Sequence, residues 1–327
     1  MSKDELKKPL ISILMAVYEP RMDWLKEQLL SLDAQTYPNL RLYIRDDCSS
    51  NIAFVALGQC VRSCVRSFPY ELRRNEKNLG SSATFERLTR EAEGDYFAYC
   101  DQDDVWLPEK LSTLCDAIEV QKAQLVCSDM FIIDGEGTRR ADSITAVRRH
   151  HVFRSGEGLA PQLLIANFVT GCTMLVNARQ AKAAVPFCPY MVHDHYLALW
   201  CAVMGSIVSL PQKLINYRIH SDNQTTIMTG VFDRKTYIDV RIRRRIHCLE
   251  WLRRNLPNQG DLYAAIDRTL SWTLAREACF AGDNSAIKQI WRARDLSLVT
   301  SVFEIVMARM PDWMFKSCIW LLRRNVI

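Results

Sequence analysis

Residues 96–104 read YFAYCDQDD, in which five apolar or aromatic residues are followed by three carboxylates within four positions. The first five have the length and composition of a buried β-strand. Asp101, Asp103 and Asp104 repel one another unless a cation lies among them. Because Mg²⁺ and Mn²⁺ prefer carboxylate oxygens, the stretch predicts a divalent metal site at a strand end. The alternative is structural, with Asp101 closing a turn or capping the next helix while the other acids face water.

The same alternation of strand and helix runs through the first 133 residues. Strands are predicted at 10–17, 40–44, 70–74, 96–100 and 125–133, and helices at 22–35, 52–67, 81–92 and 107–122. This order implies right-handed crossovers and a mostly parallel sheet of the Rossmann-like α/β class.

The part of the chain after residue 133 is less regular. Residues 134–158 are polar and predict a long loop. Strands at 168–176 and 206–210 and a helix near 193–204 are predicted next. Residues 196–212 fall short of the roughly 18 apolar residues that a membrane-spanning helix needs, so we interpret them as a buried helix followed by a buried strand.

The composition is that of a globular protein, with 49% hydrophobic and 24% charged residues in a chain of 327. Residues 231–327 carry 17 Lys and Arg against 10 Asp and Glu. We therefore expect a catalytic domain at 1–230 and a basic helical region at 231–327. The 12 cysteines form no C-x-x-C pair, which argues against zinc. They favour a reducing compartment, and with no visible secretory signal we expect a cytoplasmic protein.

Further polar residues follow other strands, at the sheet edge where α/β proteins bind ligands. Asp46 and Asp47 could accept a hydrogen bond from a pyrimidine N3–H or from ribose hydroxyls, or they could form a turn and cap a helix. Arg218 and His220 alternate along an extended segment. They could meet a diphosphate or its metal, or could pack at the edge of the sheet.

Asp194 stands at the start of the predicted helix near 193–204. An aspartate is ionised at neutral pH and can accept a proton from an attacking hydroxyl, although capping a helix N-terminus is an equally ordinary role. His193 and His195 flank it without zinc spacing, and we expect them to support a neighbour or to lie at the surface.

Six stretches, in this order, resemble the inverting family-2 glycosyltransferases, whose nucleotide-diphospho-sugar transferase fold is called GT-A. They are ISILMAVYEP (11–20), LYIRDDCSSN (42–51), NLGSS (78–82), GDYFAYCDQDDVWLPEKL (94–111), HDHYLAL (193–199) and YRIHSDNQT (217–225). The similarity covers about residues 10–225. DQDDVWLPEKL with HDHYLAL is most similar to a bacterial branch identified as rhamnosyltransferases of surface-polysaccharide synthesis.

The resemblance implies roles for individual residues. It implies a nucleotide site formed by Val17, Tyr18, Glu19, Asp46, Asp47, Asn78, Gly80, Asp101 and Gln102. It implies that Asp101, Asp103 and Asp104 bind Mg²⁺ or Mn²⁺, with His220 near the diphosphate and metal, and that Asp194 is the catalytic base. Two departures stand out. Glu19 replaces a common Asn, and the segment after Gly80 lacks the usual basic residue, for which Arg87 is a weak substitute.

These features predict a metal-dependent inverting glycosyltransferase. Its donor would be a UDP- or dTDP-sugar, and its acceptor a hydroxyl of a glycan or a lipid-linked glycan. Two alternatives use a similar acidic cluster. A haloacid-dehalogenase-type phosphatase carries its nucleophilic Asp on the first strand, whereas these acids follow the fourth. A sugar nucleotidyltransferase has a Gly-rich basic loop after the first strand, which YEPRMDW (18–24) does not provide.

The basic C-terminal region allows two interpretations. Residues 240–255 are rich in Arg and could bind nucleic acid or anionic lipid, while residues 311–327 mix Arg with Trp, Phe and Leu, as helices at a membrane interface do. They also fit an ordinary helical subdomain with a solvated basic face. We expect peripheral association with the inner face of the cell membrane and no nucleic-acid partner.

Overall fold

A computed structural model describes residues 8–148, 151–220 and 230–323. The chain forms two compact units. The first comprises Met1–Leu163, Asn167–Phe187 and Val192–His220, and the second Leu164–Ala166, Cys188–Met191 and Ser221–Ile327. The polar residues 221–225 of the last sequence motif lie outside the described residues. The functional division into 1–230 and 231–327 stays a prediction.

A single mixed sheet, with nine strands among the described residues, forms the centre of the first unit. The strands are β1 Ile11–Val17, β2 Leu40–Asp46, β3 Tyr70–Arg74, β4 Tyr96–Cys100, β5 Val105–Trp106, β6 Leu125–Ile133, β7 Arg139–Ala141, β8 Met174–Asn177 and β9 Ile207–Arg218. Their order is β3-β2-β1-β4-β8-β6-β9-β5, with β7 paired to β6. Strand β1 is buried along almost its whole length, as its continuous apolar run predicts.

Strand directions divide the sheet in two. Strands β3, β2, β1 and β4 are parallel, as the alternating pattern predicts. Beyond them the sheet is mixed, because β8 runs antiparallel to β4 and β6 while β6 and β9 are parallel. A buried apolar run reads alike in both directions, so the sequence predicted these strands without their orientation.

Helices cover this sheet and make up most of the second unit. In the first unit they are α1 Met22–Asp33, α2 Asn51–Cys64, α3 Ser81–Glu91, α4 Lys110–Gln121, α5 Ile144–Val147, α6 Ala160–Leu163, α7 Ala178–Ala183 and α8 His193–Met204. In the second they are α9 Arg234–Tyr237, α10 Arg244–Asn255, α11 Leu262–Phe280, α12 Ala286–Arg292, α13 Leu298–Met307 and α14 Asp312–Arg323. Within the described ranges, no helix combines the length and the apolar character needed to cross a membrane.

Three predicted elements differ from the structure. Only the end of the strand predicted at 168–176 is observed as a strand. Gly171–Thr173 before it forms a 3-10 turn, and the amide of Gly171 donates to the carboxylate of Asp194. The strand predicted at 206–210 continues to Arg218, since its later residues pair with β6. The long loop at 134–158 contains α5 and a hairpin strand, β7. The hairpin turn is held by Asp134, which accepts hydrogen bonds from the amides of Glu136 and Thr138.

Candidate active site

The candidate site lies where β1, β2 and β4 end. These neighbouring strands are parallel, and Val17 pairs with Asp46 while Met15 pairs with Cys100. The carboxyl ends of the strands therefore meet at one edge of the sheet. The backbone amide of Asp47 continues this register by donating to the carbonyl of Val17 at 2.7 Å. The loops that carry the predicted nucleotide and metal residues consequently start side by side.

Gln102 connects two of these loops. Its side-chain oxygen accepts from the amide of Tyr18 at 2.9 Å, and its side-chain nitrogen donates to the carbonyl of Tyr18 at 3.1 Å. This reciprocal pair fixes the segment after β1 against the acidic loop after β4. The Tyr18 side chain remains 48% exposed beside the site. Gln102 thus positions the pocket wall, a role that its place in the sequence did not indicate.

Asp47 holds the loop that precedes α3. Its carboxylate accepts from the side chain of Asn75 and from the amides of Leu79 and Gly80, each at 2.8 Å. Gly80 has φ +83, which favours glycine, and its amide also donates to Asn78 at 3.1 Å. Asp47 therefore holds a loop of the backbone, the structural alternative to a contact with the nucleoside. A carboxylate has about four lone-pair positions, so one remains for a ligand.

Asp46 and Glu19 also serve the local backbone. Asp46 is fully buried, accepts from the amide of Ser49 at 3.1 Å and pairs with Arg74 at 3.1 Å. Its other oxygen is buried with no hydrogen-bond partner among the described residues. Glu19 has φ 39 and accepts from the amide of Ser50 at 2.6 Å, next to the start of α2.

Arg87, the weak substitute predicted for the missing basic residue after Gly80, hydrogen-bonds to neighbouring side chains. Its guanidinium donates to Glu91 at 3.2 Å and to Asn75 at 3.4 Å. These bonds use only part of the donor capacity of the guanidinium, so its predicted role as a weak substitute stays a prediction.

The acidic loop brings together two of its three aspartates. Ligand atoms of Asp101, Asp104 and Cys172 lie within 4.8 Å of one another. Burial, with the nearby charges of Asp103 and Asp194, raises the pKa of Asp101 to about 7. Burial raises the pKa of Asp104 well above its usual range in the same way. It also raises the pKa of the Cys172 thiol, which therefore stays protonated and is a poor ligand for a hard cation.

Asp103 and His220 form a separate pair next to this cluster. The His220 Nε2 atom lies 2.8 Å from an oxygen of Asp103, and the His220 ring lies 4.8 Å from the ring of Trp24. Asp103 is thus paired with His220 here, and the predicted binding of one ion by Asp101, Asp103 and Asp104 with His220 nearby stays a prediction. Adjacent side chains 103 and 104 have different partners, which the D-x-D-D letters alone could not indicate.

Arg218 supports the acidic loop from β9. Its side chain is only 1% exposed, and its backbone amide donates to the Asp104 carboxylate at 3.0 Å. The guanidinium donates to the carbonyl of Asp103 at 2.8 Å and to the carboxylate of Glu27 at 2.5 Å. Of the two interpretations offered by the sequence, packing at the sheet edge is the one that the structure contains for Arg218.

Lys110 is a buried cation that the sequence analysis missed. Its side chain is completely buried, donates to the carbonyl of Cys172 at 2.5 Å and lies 3.2 Å from the centre of the Trp106 ring. Burial lowers the pKa of Lys110 to about 8, and the charges of Asp104 and Asp101 oppose that shift. The ammonium therefore neutralises part of the acidic cluster from inside the protein.

The two buried aspartates have the chemistry of a site for Mg²⁺ or Mn²⁺. One oxygen of Asp104 is buried without a hydrogen-bond partner among the residues described, and Asp101 lies beside it. Mg²⁺ is typically bound through one or two protein carboxylates together with substrate phosphate. Asp101 and Asp104 fit that donor set, whereas the protonated Cys172 does not.

Asp194 lies in the first turn of α8. The helix begins at His193 with Val192 as its N-cap, so the N-cap interpretation of Asp194 is wrong. Its carboxylate accepts from the amide of Gly171 at 3.0 Å, from the amide of His195 at 2.5 Å and from the side chain of Asn167 at 3.4 Å. Burial raises the pKa of Asp194 to about 6 against these hydrogen bonds.

The histidines beside Asp194 are packing groups. His193 is stacked on Phe85 with ring centres 4.1 Å apart, and burial lowers its pKa to about 3, so the ring is neutral. A Cβ atom at Gly171 would lie 2.9 Å from the His193 ring nitrogen. Nε2 of His195 lies 2.6 Å from the carbonyl of Leu163. Of the two roles expected for His193, a surface position is wrong, and the ring instead packs against its neighbours.

Comparison with known families gives a match between residues 12–178 and the model described as Glycosyl transferase family 2. An uncharacterized glycosyltransferase of Methanocaldococcus jannaschii is 29% identical over 139 residues, which span 41% of this chain and 46% of that protein. TuaG of Bacillus subtilis, named provisionally as a glycosyltransferase of teichuronic acid biosynthesis, is 22% identical over 246 residues, 74% of this chain and 92% of TuaG.

Solved structures show a similar fold. S. aureus TarS 1-349, in complex with UDP-GlcNAc, superposes with a TM-score of 0.61 at 13% identity over 97% of this chain and 92% of TarS 1-349. The mannosyltransferase PcManGT of Pyrobaculum calidifontis, in complex with GDP-Man and Mn²⁺, gives 0.56 at 12% identity over 99% and 88%. The predicted GT-A α/β fold with a helical C-terminal region is thereby confirmed.

We expect Lys110→Met to destabilise the protein, because it removes the internal cation beside Asp101 and Asp104. Removing one partner of a buried charge pair costs roughly 3–5 kcal/mol. Thermal melting should show a lower Tm than wild type, and added Mn²⁺ should raise the Tm of the variant more than that of wild type. Lys26→Met, which removes an exposed lysine of α1, is the matched control. An unchanged Tm with no extra effect of Mn²⁺ would contradict the role of Lys110.

Proposed function

Since the chain belongs to glycosyl transferase family 2, we propose that it transfers a sugar from a nucleotide-diphospho-sugar to an acceptor hydroxyl with inversion at the anomeric carbon. The observation that carries this proposal is the Asp194 carboxylate. It is held by the amides of Gly171 and His195, its pKa is raised to about 6, and it lies close enough to Asp101 to raise the pKa of that acid. The proposed base thus neighbours an acid of the proposed diphosphate and metal site.

The proposed reaction is a single displacement. Asp194 accepts the proton of the acceptor hydroxyl, and the oxygen attacks the anomeric carbon from the face opposite the diphosphate. The bond from that carbon to the phosphate oxygen breaks, and the diphosphate leaves with the electron pair. Asp101 and Asp104 are the residues that would hold a divalent cation, which supplies positive charge to stabilise a leaving diphosphate. A carboxyl pKa near 6 suits a base that works near neutral pH.

The proposed nucleoside site lies beside Tyr18 and Asp47. The exposed ring of Tyr18 offers a surface for a base, and the remaining lone pair of Asp47 can accept a pyrimidine N3–H. We therefore propose a UDP- or dTDP-sugar as donor. The complex of TarS with UDP-GlcNAc supports a uridine nucleotide in this fold. Rhamnose is the first sugar to test, on the similarity of the DQDDVWLPEKL and HDHYLAL motifs alone.

The proposed acceptor is a hydroxyl of a glycan, free or lipid-linked, in surface-polysaccharide synthesis. The name of TuaG, which refers to teichuronic acid, supports a polysaccharide product. The phosphatase and nucleotidyltransferase alternatives are not retained, because the family match covers the acidic loop and its acids follow β4 rather than β1.

We expect Asp194→Asn to lower kcat at least ~100-fold, the low end of what a general base contributes. Donor binding should not weaken, because Asp194 acts on the acceptor and loss of its charge eases ionisation of the neighbouring Asp101. The measurement is release of nucleoside diphosphate from UDP- and dTDP-sugars with acceptor, together with calorimetric titration of the donor. Asp116→Asn, the same change at an exposed position of α4, should leave both unchanged. Near-normal turnover in Asp194→Asn would reject the assignment.

The pH profile should show the raised pKa of Asp194. The base works only when deprotonated, so kcat/KM should be half-maximal near pH 6, level off above about pH 7 and fall about tenfold per pH unit below about pH 5. The assay needs saturating Mn²⁺ at each pH, because protons also compete for Asp101. An acidic limb near the ordinary aspartate pKa of ~3.9 would contradict the burial argument.

The donor base can be identified from melting shifts with Mn²⁺ and nucleoside diphosphates, since a ligand of the native state raises the Tm by mass action. UDP or dTDP should raise the Tm more than CDP, because cytosine N3 carries no hydrogen for Asp47 to accept. CDP is a matched control of the same ring size. Equal shifts for UDP and CDP, or a larger one for GDP, would contradict the proposed pyrimidine contact.

A further inference from the structure

Helix α13 exposes an apolar face. Its exposed residues are Leu298, Val299, Val302 and Val306, with exposed fractions of 54%, 79%, 44% and 49%. The helix has one charged residue, Glu304, which is buried in an ion pair with Arg276 at 2.5 Å. A surface helix of a water-soluble domain normally places charged or polar residues on its outer face. Here the outer face is as apolar as a core face, which marks an interaction surface.

Helix α14 exposes a stripe of aromatic and basic residues. Trp313 and Trp320 are 69% and 52% exposed, and Lys316 and Arg323 are exposed at intervening and following positions. Residues three or four apart on a helix are neighbours on its surface, so these four form one stripe. Tryptophan and basic residues together are typical of the boundary between lipid tails and headgroups.

Both helices are fixed to the second unit by their other faces. Met307 of α13 and Phe315 and Ile319 of α14 are buried in one hydrophobic cluster with Tyr237. Arg234 holds the connection between the helices, because its guanidinium donates to the carbonyls of Met307, Ala308 and Met310 and to the carboxylate of Asp312. The outer faces are thus parts of a folded surface.

A pocket of about 410 Å³ adjoins the α14 stripe and carries positive charge. Its charged lining residues are Asp233, Arg234, Lys235, Arg243, Asp312 and Lys316. Arg234 is paired with Asp312, and Arg243 with Asp239 and Glu277. Lys235 and Lys316 share the pocket with Asp233, so its charged lining has four basic and two acidic residues, an excess of two positive charges. Such a pocket complements a phosphate group.

Three arginines of the basic stretch at 240–255 form ion pairs within the second unit. Arg243, Arg253 and Arg254 all lie in ion pairs with acids of the second unit. For this stretch, the solvated helical subdomain is the better of the two interpretations from the sequence. The apolar and aromatic surface lies on α13 and α14 instead.

We propose that the outer faces of α13 and α14 dock on a lipid bilayer with anionic headgroups. The aliphatic residues of α13 enter the boundary of the acyl chains, Trp313 and Trp320 lie among the headgroups, and Lys235 and Lys316 bind a headgroup phosphate. The combined aromatic and basic stripe favours a bilayer over a second copy of the chain. The inference rests on the proposed function only for its purpose, which is access to a lipid-linked acceptor.

The test is sedimentation of the full chain with phosphatidylglycerol vesicles, at low and high ionic strength and without sugar donor. Wild type should bind at low ionic strength, bind less at high ionic strength, and bind less to phosphatidylcholine vesicles. Val299→Glu should weaken partitioning on the order of tenfold, because it places a charge in the apolar face. Val120→Glu on α4 is the matched control, since Val120 is 81% exposed and Val299 is 79% exposed. Lys316→Glu should reduce binding at low ionic strength.

Each outcome decides the proposal. Equal melting temperatures of Val299→Glu and wild type establish that the variant is folded. The proposal is overturned if wild type does not sediment with the anionic vesicles at low ionic strength, or if Val299→Glu binds as wild type does. It is also overturned if Val299→Glu changes the oligomeric state in solution while vesicle binding stays the same, because the face would then join two copies. Because no donor is present, loss of the proposed transferase activity would not affect these results.

Discussion

Buried negative charge at one edge of the sheet is the constraint on which the site depends. Burial raises the pKa of the Asp101 carboxyl, and the nearby charges of Asp103 and Asp194 raise it further. Removing charged groups from water costs several kcal/mol per ion unless opposite charge and hydrogen bonds compensate. The protein supplies part of that compensation with the ammonium of Lys110 and with the backbone amide of Arg218, which donates a hydrogen bond to the Asp104 carboxylate. A divalent cation would supply the rest. The cost of burying these acids is thus compensated by the same ion that the proposed reaction uses.

The strand-end acids divide into groups that hold the backbone and groups left for ligands. Glu19 binds an amide of the loop that follows β2, and Asp47 binds two amides of the loop that follows β3. Gln102 joins the loop after β4 to the loop after β1 through the backbone of Tyr18. Loops held in this way present their ligand-binding groups in a fixed geometry. Holding the two substrates in a fixed geometry accounts for much of the rate enhancement expected of a transferase. Asp194 reaches the same site from a different element, α8.

Apolar runs and helical periodicity predicted β1 to β4 and α1 to α4 closely, because polar and turn-forming residues mark where each of these elements begins and ends. Strand direction beyond β4 was not predictable, since a fully buried run has no polarity pattern. Lys110 could have been found, because it lies on the same helical face as Leu114 and Ile118 of α4, which are buried. Gly171 also had a signal, since an isolated glycine in a strand-like run often marks a close approach of another group. The separation of Asp103 from Asp101 and Asp104 depends on His220, 117 residues away, and no local pattern contains it.

The central claim is that Asp101 and Asp104 hold a divalent cation under the diphosphate of a nucleotide. The most direct measurement is anomalous diffraction from crystals grown or soaked with Mn²⁺ and UDP or dTDP. The account predicts one strong anomalous peak within bonding distance of both carboxylates and of a diphosphate oxygen, with the nucleoside beside Tyr18. A bound diphosphate with no peak at those carboxylates, or a peak at other residues, would contradict it.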